Sequence, residues 1–127
     1  MVDVDHFKEL NDTHGHLKGD SVLVSIASLL SSQLRTADLL GRFGGDEFLV
    51  ILPATDRFGV DVVADRMRKV ISEGTFLGKK LAVSIGIAEF RSELTADQLI
   101  DHADRDLYRV KAERDNREIT KDTQKTF

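Results

Sequence analysis

Apolar residues recur along the chain with two periods, and the switch between them marks the elements. Val22, Leu23, Ile26, Leu29, Leu30 and Leu34 fall on one helical stripe, predicting a helix from Asp20 to about Leu34, with Asp20 or Ser21 placed to cap it. Val60, Val63, Met67, Val70 and Ile71 mark a second amphipathic helix ending at Gly74. Leu99, Ala103, Leu107 and Val110 mark a third, long one, and Thr95 with Gln98 forms a capping box at its start. Strand-like runs lie between these stripes. Residues 1–5 read as the last part of a strand, 39–43 and 47–52 as two strands joined at Gly44-Gly45, and 80–90 as a strand rich in β-branched residues. Residues 5–12 predict a short helix, followed by a loop over THGHLKG, in which His14 and His16 shape the loop. Residues 117–120 read as a short terminal strand, and the tail 121–127, polar apart from Phe127, is expected to fray.

The order β-α-β-β-α-β-α-β places the chain in the α/β (α+β) class, with a central, mostly antiparallel sheet flanked by helices. In a split βαβ sheet of this kind the first strand lies between the second hairpin strand and the strand at 80–90. The end of the first strand then meets the hairpin turn, which brings Asp3 to Asp46 across the sequence.

Composition narrows the chemistry. A chain of 127 residues is one domain with a single core. A net charge of −4 gives no general attraction to nucleic acid or to an anionic membrane face, so an anionic ligand needs local donors or a metal. The absence of cysteine excludes disulfides, thiolate zinc sites and cysteine nucleophiles. No apolar run is long enough to span a bilayer and no signal peptide opens the chain, so a cytosolic location is expected.

The stretch GRFGGDEFLVI (41–51) sets two acids at a turn before a strongly apolar run. Acids at a Gly-Gly hairpin can simply face water, or the turn can hold a carboxylate where a cation and a phosphate reach it. Asp3 and Asp5 likewise fit either a strand-end turn or a metal site. Gly44 and Gly45 are expected to free the backbone dihedrals of the turn and to leave room for a phosphate. The start of the helix near His6, Phe7 and Lys8 offers backbone N–H groups to an anion.

DVDHFKELNDTHGHLKGD (3–20), RTADLLGRFGGDEF (35–48) and VSIGIA (83–88), with a less complete match at ADRDLYRVKAERDN (103–116), resemble the GGDEF domain of the diguanylate cyclase family over most of residues 1–116. The resemblance implies a palm-like nucleotidyl cyclase fold over residues 1–120, followed by the polar tail. It implies condensation of two GTP into cyclic di-GMP with release of pyrophosphate, using Mg²⁺ or Mn²⁺. Asp3, the Val4 carbonyl, Asp46 and Glu47 would hold the metal, with Asp46 and Glu47 the catalytic acids. Phe7, Lys8, Gly44, Gly45 and Lys111 would contact the triphosphate, and Asn11 and Asp20 would read the guanine, although both also suit helix capping. Arg35 and Asp38 match the family's RxxD product-inhibition site, with Arg66 as a secondary contact, although such a pair is also common on surfaces. Each domain would hold one GTP, so catalysis would need a homodimer. The alternative is a non-catalytic module that binds GTP or cyclic di-GMP.

Two departures from the family pattern carry expectations of their own. The family has a helix and a longer first strand before the metal-binding Asp, so the neighbouring strands here are expected to face unpaired backbone: either the chain is a fragment, or the gap is filled by an oligomer or a strand exchange. The family's K-x-x-G-R-N reads Lys111-Ala112-Glu113-Arg114-Asp115-Asn116, which places Arg114 one residue early, about 100° round the helix, and predicts weaker GTP binding.

Overall fold

The computed structural model describes residues 1–126. The elements are β1 (Val2–Val4), α1 (Phe7–His14), α2 (His16–Ser31), β2 (Leu39–Gly44), β3 (Glu47–Ile51), α3 (Arg57–Glu73), β4 (Val83–Ile85) and α4 (Ala96–Thr126). The strands form one antiparallel sheet in the order β2-β3-β1-β4. β1 is therefore central, as the split βαβ reading requires.

Period-two alternation divides the sheet into two unlike faces. Val2 and Val4 of β1, Phe48 and Val50 of β3, and Val83 and Ile85 of β4 join a core built with Phe7, Leu10, Val22, Leu23, Ile26 and Leu30 from α1 and α2. Ala64, Met67 and Ile71 of α3 close that core. The alternate residues face α4, where Met1, Ala103 and Leu107 form a much smaller cluster, flanked by Leu49 and Ala88. Gly86 allows this helix to come close: a Cβ there would collide with the Ala103 carbonyl and the Leu107 backbone. An apolar cavity of about 760 Å³, lined by Met1, Leu49, Ile51, Val63 and Leu99 among others, lies at the end of β1 away from Asp3 and Asp5.

Several boundaries differ from the sequence reading, each for a physical reason. β4 covers three residues instead of the expected 80–90, because a strand needs a partner and its only neighbour among the described residues, β1, spans Val2–Val4. β3 extends to Ile51 on its β2 side but meets β1 only at Phe48 and Glu47. The THGHLKG segment is not a loop: α1 runs to His14, the backbone turns at Gly15, and α2 starts at His16. Asp20 and Ser21 thus lie more than a turn inside α2 and cap nothing. The two hairpin glycines do not sit symmetrically at its tip, since the register shifts between Arg42 and Gly44, and Gly44 still pairs with Glu47.

Residues 117–120 are helical, not a strand, and residues 121–126 continue the helix instead of fraying. No Gly or Pro interrupts 96–126, and the segment is rich in Glu, Arg, Lys and Gln, which favour helix. Phe127 lies outside the described residues. The Thr95–Gln98 capping box is present in both directions, with the Gln98 amide donating to Thr95 Oγ1 at 3.1 Å and the Thr95 amide to Gln98 Oε1 at 2.9 Å. α3 ends at Gly74 as expected and is capped at its start by Asp56, whose carboxylate accepts from the Gly59 amide at 2.8 Å.

Candidate active site

The acids converge because of strand register. Asp3 sits opposite Glu47 across β1 and β3, and the Val4 amide donates to the Asp46 carbonyl at 3.2 Å. Among the described residues no return bond runs from the Asp46 amide to the Val4 carbonyl. Cross-strand partners share a face, so Asp3 and Glu47 both point toward α4, with Asp46 beside them at the turn.

Their electrostatics follow from this arrangement. Burial raises the Asp3 pKa above the ordinary carboxylate value, and repulsion from Asp46 and Asp5 adds to it against the opposing Lys111 ammonium. Burial also raises Glu47, joined by repulsion from Asp3, Asp104 and Asp46 and again opposed by Lys111. Concentrated negative charge with one nearby ammonium is an unfavourable arrangement that a further cation relieves.

The donor set fits a hard divalent ion. Asp3, Asp46, Glu47 and the Val4 carbonyl offer oxygen only, the ligand type that Mg²⁺ and Mn²⁺ prefer. Among the described residues, no three His, Asp or Glu side chains are gathered into a ready-made cage. Mg²⁺ is commonly held by one or two carboxylates while phosphate oxygens complete its shell.

α4 reaches over these acids. Lys111 Nζ donates to Asp3 Oδ2 at 2.7 Å, and Arg114 Nη1 to Asp5 Oδ1 at 2.6 Å. Ser84 Oγ donates to the same Asp5 oxygen at 2.6 Å. His6 Nε2 lies 3.2 Å from Glu118 Oε1. Arg114 also bonds Asp115, at 2.8 and 2.9 Å. Ser84 and Glu118 were not singled out in the sequence. Ser84 sits inside an apolar strand as its one polar residue, and that was the signal available.

The β1–α1 corner leaves donors exposed to a ligand. His6, at the N-cap of α1, holds the left-handed conformation (φ 58°) and makes no side-chain cap bond. Phe7 buries its ring in the core while Lys8 is exposed, so Phe7 can offer only its backbone N–H to this corner. The hairpin glycines act differently from expectation. Neither Gly44 nor Gly45 has positive φ, so the dihedrals do not demand glycine; a Cβ would meet nothing at Gly45 and only Glu47 Oε2, at 3.7 Å, at Gly44. What they provide is open space. Arg42 braces the turn by donating to the Gly45 carbonyl at 2.6 and 3.0 Å.

Asn11 and Asp20 flank the α1–α2 contact, and neither is a helix cap. Asn11 lies within α1, its Oδ1 buried without a partner, and a Cβ on Gly19 would collide with that oxygen. Its Nδ2 lies 3.2 Å from His16 Nδ1. Asp20 is exposed one residue beyond Gly19.

A second cluster forms between β2 and α3. Asp38 is buried and accepts from the Arg35 amide at 2.8 Å, with the Arg35 guanidinium at 3.5 Å. The Arg35 backbone bond, reinforced by the Arg35 side chain and by Arg66, holds the Asp38 carboxyl below its ordinary pKa against the effect of burial. Arg35 Nη2 also donates to Thr55 Oγ1 at 2.8 Å, and Arg66 Nη2 to the Gln33 carbonyl at 2.9 Å. The three predicted residues therefore share one locality. Asp38 serves there to orient Arg35 and is not itself open to solvent.

None of the described helices is long and apolar enough to cross a membrane. Comparison with known proteins bears on what this arrangement is for. The family model described as diguanylate cyclase, GGDEF domain, matches residues 1–117. Diguanylate cyclase A of Treponema denticola is 39% identical over 122 residues, covering 92% of this chain and 33% of that protein. The structure of the diguanylate cyclase SiaD, solved with its activator SiaC from Pseudomonas aeruginosa, superimposes with a TM-score of 0.84 at 40% identity, covering 88% of this chain and 45% of SiaD. The GGDEF domain of DgcB from Caulobacter crescentus, solved in complex with c-di-GMP, gives 0.81 at 30% identity, covering 87% of this chain and 69% of that one. The chain spans 33% or less of the length of the curated relatives it matches. With the acids at the hairpin turn and the sheet order agreeing, the chain belongs to the diguanylate cyclase GGDEF family.

Proposed function

We propose that this domain condenses two GTP into cyclic di-GMP, releasing pyrophosphate, and that it acts on the cytosolic GTP pool. The observation that carries the reading is the pairing of Asp3 with Glu47 on one sheet face, with Asp46 adjoining at the turn, beside the uncapped start of α1. Asp3, Asp46, Glu47 and the Val4 carbonyl would hold Mg²⁺ or Mn²⁺. Such an ion would neutralise the phosphates and the attacking 3′-oxygen.

The chain's own residues do the rest. The Phe7 and Lys8 N–H groups face the phosphates at a helix N-terminus, and the Lys8 and Lys111 ammonium groups add charge. Gly44 and Gly45 leave space for phosphate to approach the turn. Asn11 Oδ1, buried and unsatisfied, needs a donor, which the guanine amino group supplies, and the Asp20 carboxylate accepts from guanine N1–H. The 3′-oxygen of each GTP attacks the α-phosphorus of the other, so two phosphodiester bonds form as two pyrophosphates leave, and the raised pKa of Glu47 suits it to take the 3′-OH proton. Because each domain would hold one GTP, two domains must face each other. Arg35 and Arg66 present guanidinium groups suited to the guanine edge and phosphate of the product, with Asp38 fixing Arg35.

The test is incubation with GTP and Mg²⁺ or Mn²⁺, assaying cyclic di-GMP and pyrophosphate, with Asp46→Ala as control. Product from the native chain alone supports the reading; product from neither favours a binding module. That second reading has one observation behind it: Arg114 is tied to Asp5 and Asp115 and is not free to meet a phosphate.

A further inference from the structure

The acid-bearing corner and α4 are joined by three polar contacts, Asp3–Lys111, Asp5–Arg114 and His6–Glu118, whose α4 members are spaced to share one stripe of the helix. The pairs are not equivalent. Arg114 is held between two carboxylates, and its Asp5 partner is fixed further by Ser84, so this contact anchors the helix. Among the described residues Lys111 is held only by Asp3, on a flexible four-carbon stem and with its side chain 33% exposed, while Asp3 is 8% exposed. Lys111 thus places one positive charge against the very carboxylate that the proposed function gives to a divalent ion.

We propose that Lys111 is an exchangeable counter-cation: it occupies Asp3 when no metal is present, a divalent ion displaces it, and only then is its ammonium free for an anionic triphosphate. The inference rests on the metal assignment made above and adds a coupling to it. Two cations repel each other on a single carboxylate, so metal entry and Lys111 release are one event, while the Arg114–Asp5 pair keeps α4 seated. Because coupling between two ligands is reciprocal, metal and triphosphate favour each other's binding through this one side chain.

The experiment is a Mn²⁺ titration of the nucleotide-free protein, following free Mn²⁺ by electron paramagnetic resonance. Lys111→Met is compared with the native chain and with Arg117→Met, an exposed substitution on the same helix that removes the same charge. Lys111→Gln is a second variant in case the apolar one folds poorly, and thermal melts verify folding. The expected result is that Lys111→Met binds Mn²⁺ roughly five- to tenfold more tightly than the native chain, well beyond any change in Arg117→Met. Equal or weaker binding by both Lys111 variants overturns the exchange while leaving the metal assignment standing. A native chain that binds no Mn²⁺ overturns both.

Discussion

The two faces of the sheet are built from the same three strands, β1, β3 and β4, yet they are opposites. One packs Val2, Val4, Phe48, Val83 and Ile85 into a dry core under α1, α2 and α3. The other offers Asp3, Asp5, Glu47 and Ser84 to α4, with a small buried cluster of Met1, Ala103 and Leu107 on the same face. Burial is strongly favourable on the first face, at about 25 cal/mol per Å² of apolar surface. On the second, α4 is held by a small apolar contact near its start and by ion pairs further along. The difference teaches that stability is drawn from one face so that the other can carry charge that opposes folding.

That division can be broken by substitution. The largest expected effect is on activity: Asp46→Ala lowers cyclic di-GMP formation by at least about 100-fold, the scale on which electrostatic groups act in transition states, with thermal stability preserved. On the dry face, Ile26→Ala at a fully buried site costs about 2–5 kcal/mol in urea unfolding. Gly86→Ala drives a methyl into the α4 backbone and costs about 1–3 kcal/mol, because overpacking has no flexible neighbour to absorb it. The smallest effect has the opposite sign. Glu47→Gln removes repulsion in the acid cluster and raises Tm by about 1–3 °C in metal-free buffer, while activity falls.

Acid titration sharpens the contrast, since the two kinds of carboxylate respond with opposite signs. Asp38 has a lowered pKa, so its contribution to stability is present above the unfolded-state value and is lost as pH falls through the folded-state value. Asp38→Asn therefore destabilises at neutral pH, and the gap to the native chain closes in acid. Glu47 has a raised pKa and opposes folding when ionised. The advantage of Glu47→Gln is thus full at neutral pH and shrinks as pH falls through the folded-state pKa of Glu47. Denaturant midpoints measured across the acid range check both signs.

Much of this was legible in the sequence, for reasons that can be named. The helical stripes of α2 and α3 are local and strongly periodic, and the strand order followed from element order, which was enough to bring Asp3 beside Asp46. Lengths set by distant partners were not legible. The run 80–90 has strand chemistry throughout, but only Val83–Ile85 finds β1 beside it. Residues 117–120 have two β-favouring members, yet they continue a helix that nothing stops. Asp20 reads as a cap until Gly15 is seen to be the break between helices. The Arg114–Asp5 pair joins residues 109 apart and depends on how α4 is rotated against β1, which periodicity cannot fix.

The most direct test of the central claim is a crystal structure of the domain with a GTP analogue blocked at the bond to be broken and Mn²⁺, using anomalous scattering to locate the ion. The account predicts manganese bound by carboxylate oxygens of Asp3 and of the Asp46–Glu47 turn, with triphosphate oxygens completing its shell. Nucleotide bound elsewhere, or manganese in place with Asp3 still paired to Lys111 and taking no part, would contradict it.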